Sequence, residues 1–457
     1  MSTVDSTYKA QCEVMDLPIL YIVTNDSVMP TYTVVYAPEG CSGRGITDNE
    51  KVPAHMWIVR QGDTIYDSGA YVKDTAGITI KVRGNTTASD RSDKKPYKLK
   101  LQKKTDLLFR GNDALYADKD WVLLRNEIYE TMVGNMTNQL LGMEWTPAQT
   151  PVFVFLNDNF RGVYLLTENI KRNTRCRVNV AKTGFLIEYD AYWWNEDYYI
   201  ASPRFGQKIN YTLTYPESDD ILPWQVDYLT NHIATVEDYL VTRQNLDSVI
   251  DVHSYARWLW VHDILGNRDA HGSNIYLTKY DTTLVSKQKM ICAWDFSGCF
   301  TPNISWSLIH NDAWFSQFFS QPQHQFIQEY IRIYDSQVQN SFDTLVQQIN
   351  TLQQSASTMV LDNALALDEQ RWKKDNISGL SLQEIADYLS NRKSTVANLM
   401  TSLKEAYGYP TTALSEVTYT YPEEQVYTIL GNPASKTSRG VILIIRTNDG
   451  LVKKVMY

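Results

Sequence analysis

Asn267-Arg268-Asp269-Ala270-His271-Gly272-Ser273-Asn274 and Ala293-Trp294-Asp295-Phe296-Ser297-Gly298 are the two stretches of the chain that decide its fold. The residues before them, 252–265 (VHSYARWLWVHDIL), predict a helix with Asp251 as its N-cap and Gly266 as its end. Asp269 therefore falls in a loop. Ile275–Thr278 and Lys289–Ala293 predict a hairpin, which would bring Asp295 back beside Asn274.

The chemistry of phosphoryl transfer explains this order of residues. Mg²⁺ that bridges nucleotide phosphates needs hard oxygen ligands, which Asn274 and Asp295 can supply. Asp269 can orient an acceptor hydroxyl and take its proton. The alternative is that Asp, Asn and Gly are here because they are the commonest turn residues, since an Asp with an Asn five residues later is a weak motif.

A second region, in the N-terminal half, predicts a strand, a turn and a returning strand. Ile78–Val82 and Tyr97–Leu101 are the strands, and Arg83-Gly84-Asn85-Thr86-Thr87 is the turn. Lys98 and Lys100 share one face of the second strand because side chains alternate. Arg83 and the turn amides could hold phosphates, although this stretch taken alone favours an ordinary hairpin with solvated lysines.

Taken together, these stretches resemble the CotH-type kinases, a family of atypical, protein-kinase-like enzymes named for a spore-coat protein. The matching stretches, in the order of the family, are Lys81–Thr87, Lys94–Leu101, Asp120–Leu124, Gly162–Glu168, Gly184–Glu188, the Asp269–Asn274 loop and Trp294-Asp295. They span about residues 78 to 300, and an ordered series is far more specific than one motif.

The resemblance implies an α+β, two-lobed, protein-kinase-like fold with a β-rich small lobe and a mainly helical large lobe. It implies ATP and Mg²⁺, or Mn²⁺, as cofactors. Asp269 would be the catalytic base, and Asn274 and Asp295 the metal ligands. Either Lys98 or Lys100 would bind phosphate, and Arg83 would lie over the nucleotide.

Two further elements take their roles from the same resemblance. A helix predicted over about Ile128–Leu141 would be the regulatory helix, with Glu130 or Asn135 positioning the lysine. Residues 151–170 predict a hairpin whose exit would be the hinge between lobes. Backbone groups of Thr167–Asn169 would then bind adenine, and Glu168 would contact ribose or be solvated.

The chain departs from ordinary protein kinases on the substrate side. It has no G-x-G-x-x-G before the lysine strand, and Asn267 replaces the usual His before Arg-Asp. Ser297 interrupts Asp-Phe-Gly, and no Ala-Pro-Glu follows. The identity of the acceptor is therefore not readable from motifs.

Composition sets limits on partners. A net charge of −9 disfavours nucleic acid, because a phosphate backbone selects clustered Lys and Arg. The five cysteines lack zinc-site spacing; Cys292 and Cys299 could form a bridge around Asp295 or remain buried thiols. No apolar run is long enough for a membrane span, and Met1–Asp5 is not a signal peptide, so we expect a soluble protein.

Three parts are predicted along the chain. Residues 1–80 form a β-rich segment that caps or starts the small lobe. Residues 81–410 form the kinase-like domain, with the small lobe to about 170 and the large lobe over about 171–410. Residues 411–457 form a β module with an Asn448-Asp449-Gly450 hairpin turn. The module is similar to small modules of secreted Bacteroidetes-type proteins, which favours the cell envelope or the exterior. The alternative is a β-hairpin extension packed on the body of the protein.

Three functions remain open from the sequence. The first is a Mg-ATP-dependent kinase acting on Ser or Thr of a secreted or envelope protein, so that ATP and an unidentified protein substrate are the partners. The second is a catalytically inactive nucleotide-binding scaffold. The third is a cell-surface adhesion or glycan-binding protein that uses aromatic groups such as Tyr192-Trp193-Trp194.

Overall fold

The computed structural model describes residues 2–242, 245–270, 272–320, 325–375, 379–409, 425–428, 442–446 and 452–456. Contacts between residues divide the chain into two units, Met1–Tyr409 and Pro410–Tyr457. The second unit begins one residue before the predicted boundary at 411.

Strands predominate in the first unit up to residue 215, and helices predominate after it. Its helices are α1 (Thr3–Glu13), α2 (Thr86–Ser89), α3 (Asp113–Tyr116), α4 (Ile128–Leu140), α5 (Pro223–Thr242), α6 (Val252–Leu265), α7 (Gln325–Ile333), α8 (Gln339–Gln353), α9 (Ala356–Trp372) and α10 (Leu382–Ala406), with a π-helical turn over Tyr334–Val338. Its strands are β1 (Ile19–Thr24), β2 (Thr33–Tyr36), β3 (Arg44–Thr47), β4 (Val52–Arg60), β5 (Asp63–Asp67), β6 (Ile78–Val82), β7 (Tyr97–Thr105), β8 (Asp118–Leu124), β9 (Gln149–Leu156), β10 (Asn159–Glu168), β11 (Phe185–Tyr189), β12 (Tyr199–Ser202), β13 (Gly206–Tyr215), β14 (Ile275–Lys279) and β15 (Gln288–Met290).

The N-terminal strands form a barrel-like sheet in the order β1-β9-β10-β8-β7-β6-β4-β5. β1 also pairs with β4, which closes the ring and leaves β5 outside it. Alternating apolar side chains, among them Ile80, Leu99, Trp121 and Leu166, form one buried cluster on one face of this sheet. Lys98 and Lys100 lie on the opposite face of β7 from Leu99.

A second sheet, in the order β12-β13-β11-β14-β15, and the helices form the rest of the unit. The larger core joins the other face of the barrel to this sheet and to the helices, and it includes Trp258 and Trp260 of α6, which are both fully buried. No helix in the part of the chain that the structure describes is long and apolar enough to cross a bilayer.

The fold is therefore mixed α+β, as the sequence predicts at that level. The predicted boundary at residue 80 falls inside β6, which pairs with β4 on one side and β7 on the other. The division into two lobes stays a prediction.

The second unit contains β16 (Gln425–Thr428), β17 (Ile442–Arg446) and β18 (Val452–Met456). These strands form an antiparallel sheet with β17 in the centre, which agrees with the β-rich character expected of this segment. The Asn448-Asp449-Gly450 turn lies outside the described residues.

Candidate active site

A cleft of about 580 Å³ collects most of the residues that the sequence singled out. Arg83, Asp269, Asn274 and Asp295 all line it, although they come from separate parts of the chain. The remaining wall is formed by the turn after β6, the start of α4 and part of β11. The loop of Asp269 and the loop of Asp295 therefore face one space.

α6 fixes where the Asp269 loop begins. The Asp251 side chain accepts a hydrogen bond from the Ser254 amide at 3.0 Å, and Gly266 ends the helix in the left-handed conformation at φ 55°. Asn267 follows and is buried, and its Oδ1 accepts a hydrogen bond from the Asp269 amide at 2.8 Å. The Asp269 side chain projects from this anchored backbone and is exposed. His271, within the same loop, lies outside the described residues.

The two loops are packed directly on each other. The Arg268 amide donates to the Gly298 carbonyl at 2.9 Å. A Cβ at Gly298 would lie 2.5 Å from the Cβ of Asp269, so only glycine allows this approach. Gly298 therefore sets how closely the Asp269 loop approaches the Asp295 loop.

Asn274 and Asp295 share an unusual backbone conformation. Both are left-handed, with φ of 62° and 63°, which Asn and Asp tolerate better than other side-chain-bearing residues. The Asn274 amide donates to Glu188 Oε1 at 3.1 Å, and the Ser297 amide donates to Asp295 Oδ1 at 3.1 Å. The hairpin between them forms, with Leu277 opposite Met290, although its second strand is Gln288–Met290 and not the predicted Lys289–Ala293.

Helix α4 packs against the Asp295 loop through two side-chain contacts. A Cβ at Gly134 would lie 2.3 Å from Cδ1 of Phe296, so the ring of Phe296 occupies the space that a larger residue would fill. Asn138, which is fully buried, accepts from the Ala293 amide and donates to the Ala293 carbonyl, both at 2.9 Å. The helix thus fixes the segment that leads into Asp295.

Acidic side chains near the cleft have raised pKa values. Burial and the neighbouring Asp295 carboxylate raise the pKa of Glu127 to about 7. Burial and Asp190 raise the pKa of Glu188 to about 8. Sequence reasoning missed both residues as parts of the cleft wall; the interior glycine of α4 was a readable sign of close packing there.

The two candidate phosphate lysines do not line this cleft. Lys98 and Lys100 line an adjoining cavity of about 410 Å³, which shares Glu188, Asp190 and Glu196 with the cleft. Burial, with some opposition from Asp120, lowers the pKa of Lys98. A role for either lysine would require the ligand to extend into this second cavity.

The Glu168 carboxylate is buried away from the cleft surface. It accepts from Arg110 at 2.9 Å and from the Ala148 amide at 3.1 Å, while its neighbour Thr167 lines the cleft. The Glu168 side chain is therefore buried among protein partners, and its predicted contact with ribose stays a prediction.

The side chains predicted to position the lysine also have other partners. Glu130 accepts from the Leu380 amide at 2.6 Å, and Asn135 donates to Gln149 at 3.1 Å. Asn135 lines the cleft, whereas Glu130 lines a separate cavity beside α9.

The cysteines and the Tyr192-Trp193-Trp194 run are the other groups that the sequence left open. All five cysteines are free, so Cys292 and Cys299 are buried thiols. Within the described ranges, no three His, Cys, Asp or Glu side chains are grouped to hold a metal ion. Tyr192 lines the cleft, and its hydroxyl lies 2.6 Å from that of Thr86, so the first aromatic of the Tyr-Trp-Trp run belongs to the cleft wall.

Comparison with known proteins agrees with the order of motifs. The family described as CotH kinase protein matches residues 80–396, a range that includes every cleft residue discussed above. The chain belongs to this family. Its members are kinase-like phosphotransferases, and the resemblance stated from the sequence is confirmed.

One solved structure with some similarity is the crystal structure of a Helicobacter pylori proinflammatory kinase, CtkA. It is 12% identical to this chain, covers 68% of this chain and 94% of its own, and gives a TM-score of 0.31. No curated protein matches the chain.

Proposed function

We propose that this protein is a Mg²⁺- and ATP-dependent phosphotransferase that phosphorylates Ser or Thr hydroxyls of a secreted or cell-envelope protein. The observation that carries the proposal is the shared cleft. It brings an exposed carboxylate, Asp269, together with two candidate metal ligands, Asn274 and Asp295, and with the Arg83 turn. Phosphoryl transfer needs this combination of a base, hard oxygen donors and a cationic phosphate contact.

The donor set fits a magnesium–nucleotide complex. Asn274 and Asp295 offer one carboxamide and one carboxylate oxygen donor, and Mg²⁺ commonly takes one or two protein ligands while phosphates and water complete its shell. The absence of a three-residue His, Cys, Asp or Glu group in the described chain is compatible with this kind of site. The metal, when bound, would neutralise charge on the transferring phosphoryl group.

The other roles follow from position. Asp269 would orient the acceptor hydroxyl and take its proton, since the Asn267 side chain fixes its backbone. Arg83 and the amides of the following turn would bind phosphate oxygens, and Gly84, at φ 88°, allows that turn. Lys98 and Lys100 would take part if the nucleotide reaches the adjoining cavity.

Nucleotide binding and transfer are tested separately. Mg-ATP should raise the melting temperature of the full chain, because a ligand that binds only the native state stabilises it. Asp295→Ala should abolish the shift, whereas Asp63→Ala, at an exposed position of β5, should retain it. Absence of a shift with any nucleotide would favour the adhesion or glycan-binding alternative.

Transfer depends on Asp269. We expect Asp269→Asn to retain the Mg-ATP shift and to lose phosphate incorporation into a Ser/Thr-rich acceptor or into the protein itself. Equal incorporation by this variant and the parent would eliminate Asp269 as the base. A full nucleotide shift without transfer by the parent to any acceptor would favour the inactive scaffold.

A further inference from the structure

A basic groove of about 500 Å³ lies beside the barrel, outside the candidate active site. It is lined by cationic side chains from β7, β8 and the segment after β10: Lys100, Lys104, Lys119, Lys171, Arg172 and Arg175. Its only carboxylates among the described lining residues are Asp118 and Asp120, which leaves an excess of four positive charges. The whole chain carries a net charge of −9, so the positive charge of this groove is opposite in sign to that of the protein as a whole.

Internal ion pairs do not account for the excess. Asp118 and Asp120 are buried, and both pair with Lys171. Lys100 and Lys104 have no hydrogen-bond or ion-pair partner in the described part of the chain. Lys119 lies 3.8 Å from Asp74, whose side chain is 74% exposed, and such a pair contributes little to stability.

The groove adjoins the cavity of Lys98, which in turn adjoins the cleft. Lys100, Asp120 and Lys171 line both the groove and the cavity of Lys98, and that cavity shares Glu188 and Asp190 with the cleft. A molecule bound in the groove would therefore be held close to the site of phosphoryl transfer.

We propose that this basic groove docks an acidic, Asp- and Glu-rich segment of the protein acceptor. This inference rests on the proposed kinase function and adds the class of substrate. Carboxylates of such a segment would pair with Lys100, Lys104 and Lys119, which have few partners of their own. The acceptor would be selected through charge at a distance from its Ser or Thr.

The lining favours a peptide over nucleic acid. None of the described residues that line the groove or the adjoining cavity is aromatic, whereas single-stranded nucleic acid is usually held by stacking on aromatic rings.

Direct binding tests the groove without any need for activity. A fluorescein-labelled deca-glutamate peptide is titrated with the full chain and followed by anisotropy, with a Gly-Ser peptide of equal length as the neutral probe. We expect the acidic probe to bind more tightly, and more weakly as salt is raised. The Lys104→Glu/Lys119→Glu variant should lose about tenfold in affinity or more, because four units of charge change at the binding surface.

The matched control is Lys208→Glu/Lys374→Glu, which changes the net charge equally at exposed positions away from the groove. It should bind the acidic probe like the parent. Equal losses in both variants, or no preference for the acidic probe, would overturn the proposal. Tighter binding of a labelled oligothymidylate than of the acidic probe would overturn it in favour of nucleic acid.

A kinetic arm separates this inference from the proposed function. With a Ser peptide flanked by Glu, the groove variant should raise the peptide KM about tenfold and leave kcat and the Mg-ATP thermal shift unchanged. If the parent shows no Mg-ATP thermal shift, the result counts against the kinase function alone. If the parent is an active kinase and the groove variant has the same peptide KM as the parent, the result counts against the groove alone.

Discussion

Gly134→Ala tests the contact between helix α4 and the Asp295 loop. In an exposed helix interior, replacing Gly by Ala stabilises by up to about 1 kcal/mol. Here the added Cβ would lie 2.3 Å from Cδ1 of Phe296. Ordinary carbon–carbon contacts lie at about 3.5 to 4.0 Å, so the ring would have to move by about 1.2 to 1.7 Å.

The structure leaves little room for that movement, since Phe296 is only 2% exposed. Overpacking of this kind costs about 1 to 3 kcal/mol, so we expect net destabilisation of up to about 2 kcal/mol in urea unfolding. Because Phe296 follows Asp295 directly, its displacement should also lower phosphate transfer, by about 100-fold for a shift of about 1 Å. Gln139→Ala, at an exposed position of α4, is the control and should change neither quantity.

A double-mutant cycle decides whether the ring is the cause. With Phe296→Ala the added methyl group has space, so Gly134→Ala should become stabilising by up to about 1 kcal/mol. The coupling energy between the two sites then equals the overpacking cost, about 1 to 3 kcal/mol. A coupling within about 0.5 kcal/mol of zero, or stabilisation of the parent by Gly134→Ala, would refute the reasoning.

Two further predictions concern stability. Lys94, which is fully buried, donates to both oxygens of Asp368 at 2.8 and 2.7 Å. Lys94→Met should therefore lower the free energy of unfolding in urea by about 3 to 5 kcal/mol, because it leaves a buried carboxylate without its counter-charge. The control Lys393→Met breaks an exposed pair with Asp343 and should cost about 1 kcal/mol or less; equal costs for the two variants would contradict the prediction. Burial lowers the pKa of His262 from 6.5 to about 3. Between these two pH values the unfolded chain binds a proton at His262 that the native chain does not. The free energy of unfolding should therefore fall as the pH falls from 7 towards 3. His262→Gln should reduce the loss between pH 7 and pH 5 by about 2 kcal/mol, and an unchanged pH profile would show that His262 is not its source.

Local sequence patterns predicted several elements well because their causes lie within a few residues. The cap Asp251 and the terminal Gly266 define α6 at the bounds expected, and β6 has the predicted limits. The turn between β9 and β10 has Asn157 and Asp158 at φ 50° and 61°, the left-handed geometry for which these residues are selected.

Contacts between distant segments could not be predicted in the same way. β1 pairs in parallel with β9, with Ile19 opposite Phe153, and neither strand carries a local sign of that partner. Strand alternation placed Lys98 and Lys100 on one face, but the cavity that this face opens into depends on β11 and β13. The positions of Glu127 and Glu188 on the cleft wall likewise depend on tertiary packing. The same holds for the two hydrogen bonds between the Asn138 side chain and the Ala293 backbone.

Asn267 explains how the base loop can differ from the protein-kinase pattern and still hold its position. Its Oδ1 accepts from the Asp269 amide, while its Nδ2 lies 3.1 Å from His262 Nδ1 and 3.5 Å from the Asp295 carbonyl. Burial keeps His262 neutral, so its Nδ1 can accept this hydrogen bond. A carboxamide supplies an acceptor and two donors from one planar group, whereas a neutral imidazole has one of each. Asn267 is therefore suited to connect the end of α6, the candidate base and the candidate metal loop at a single buried point.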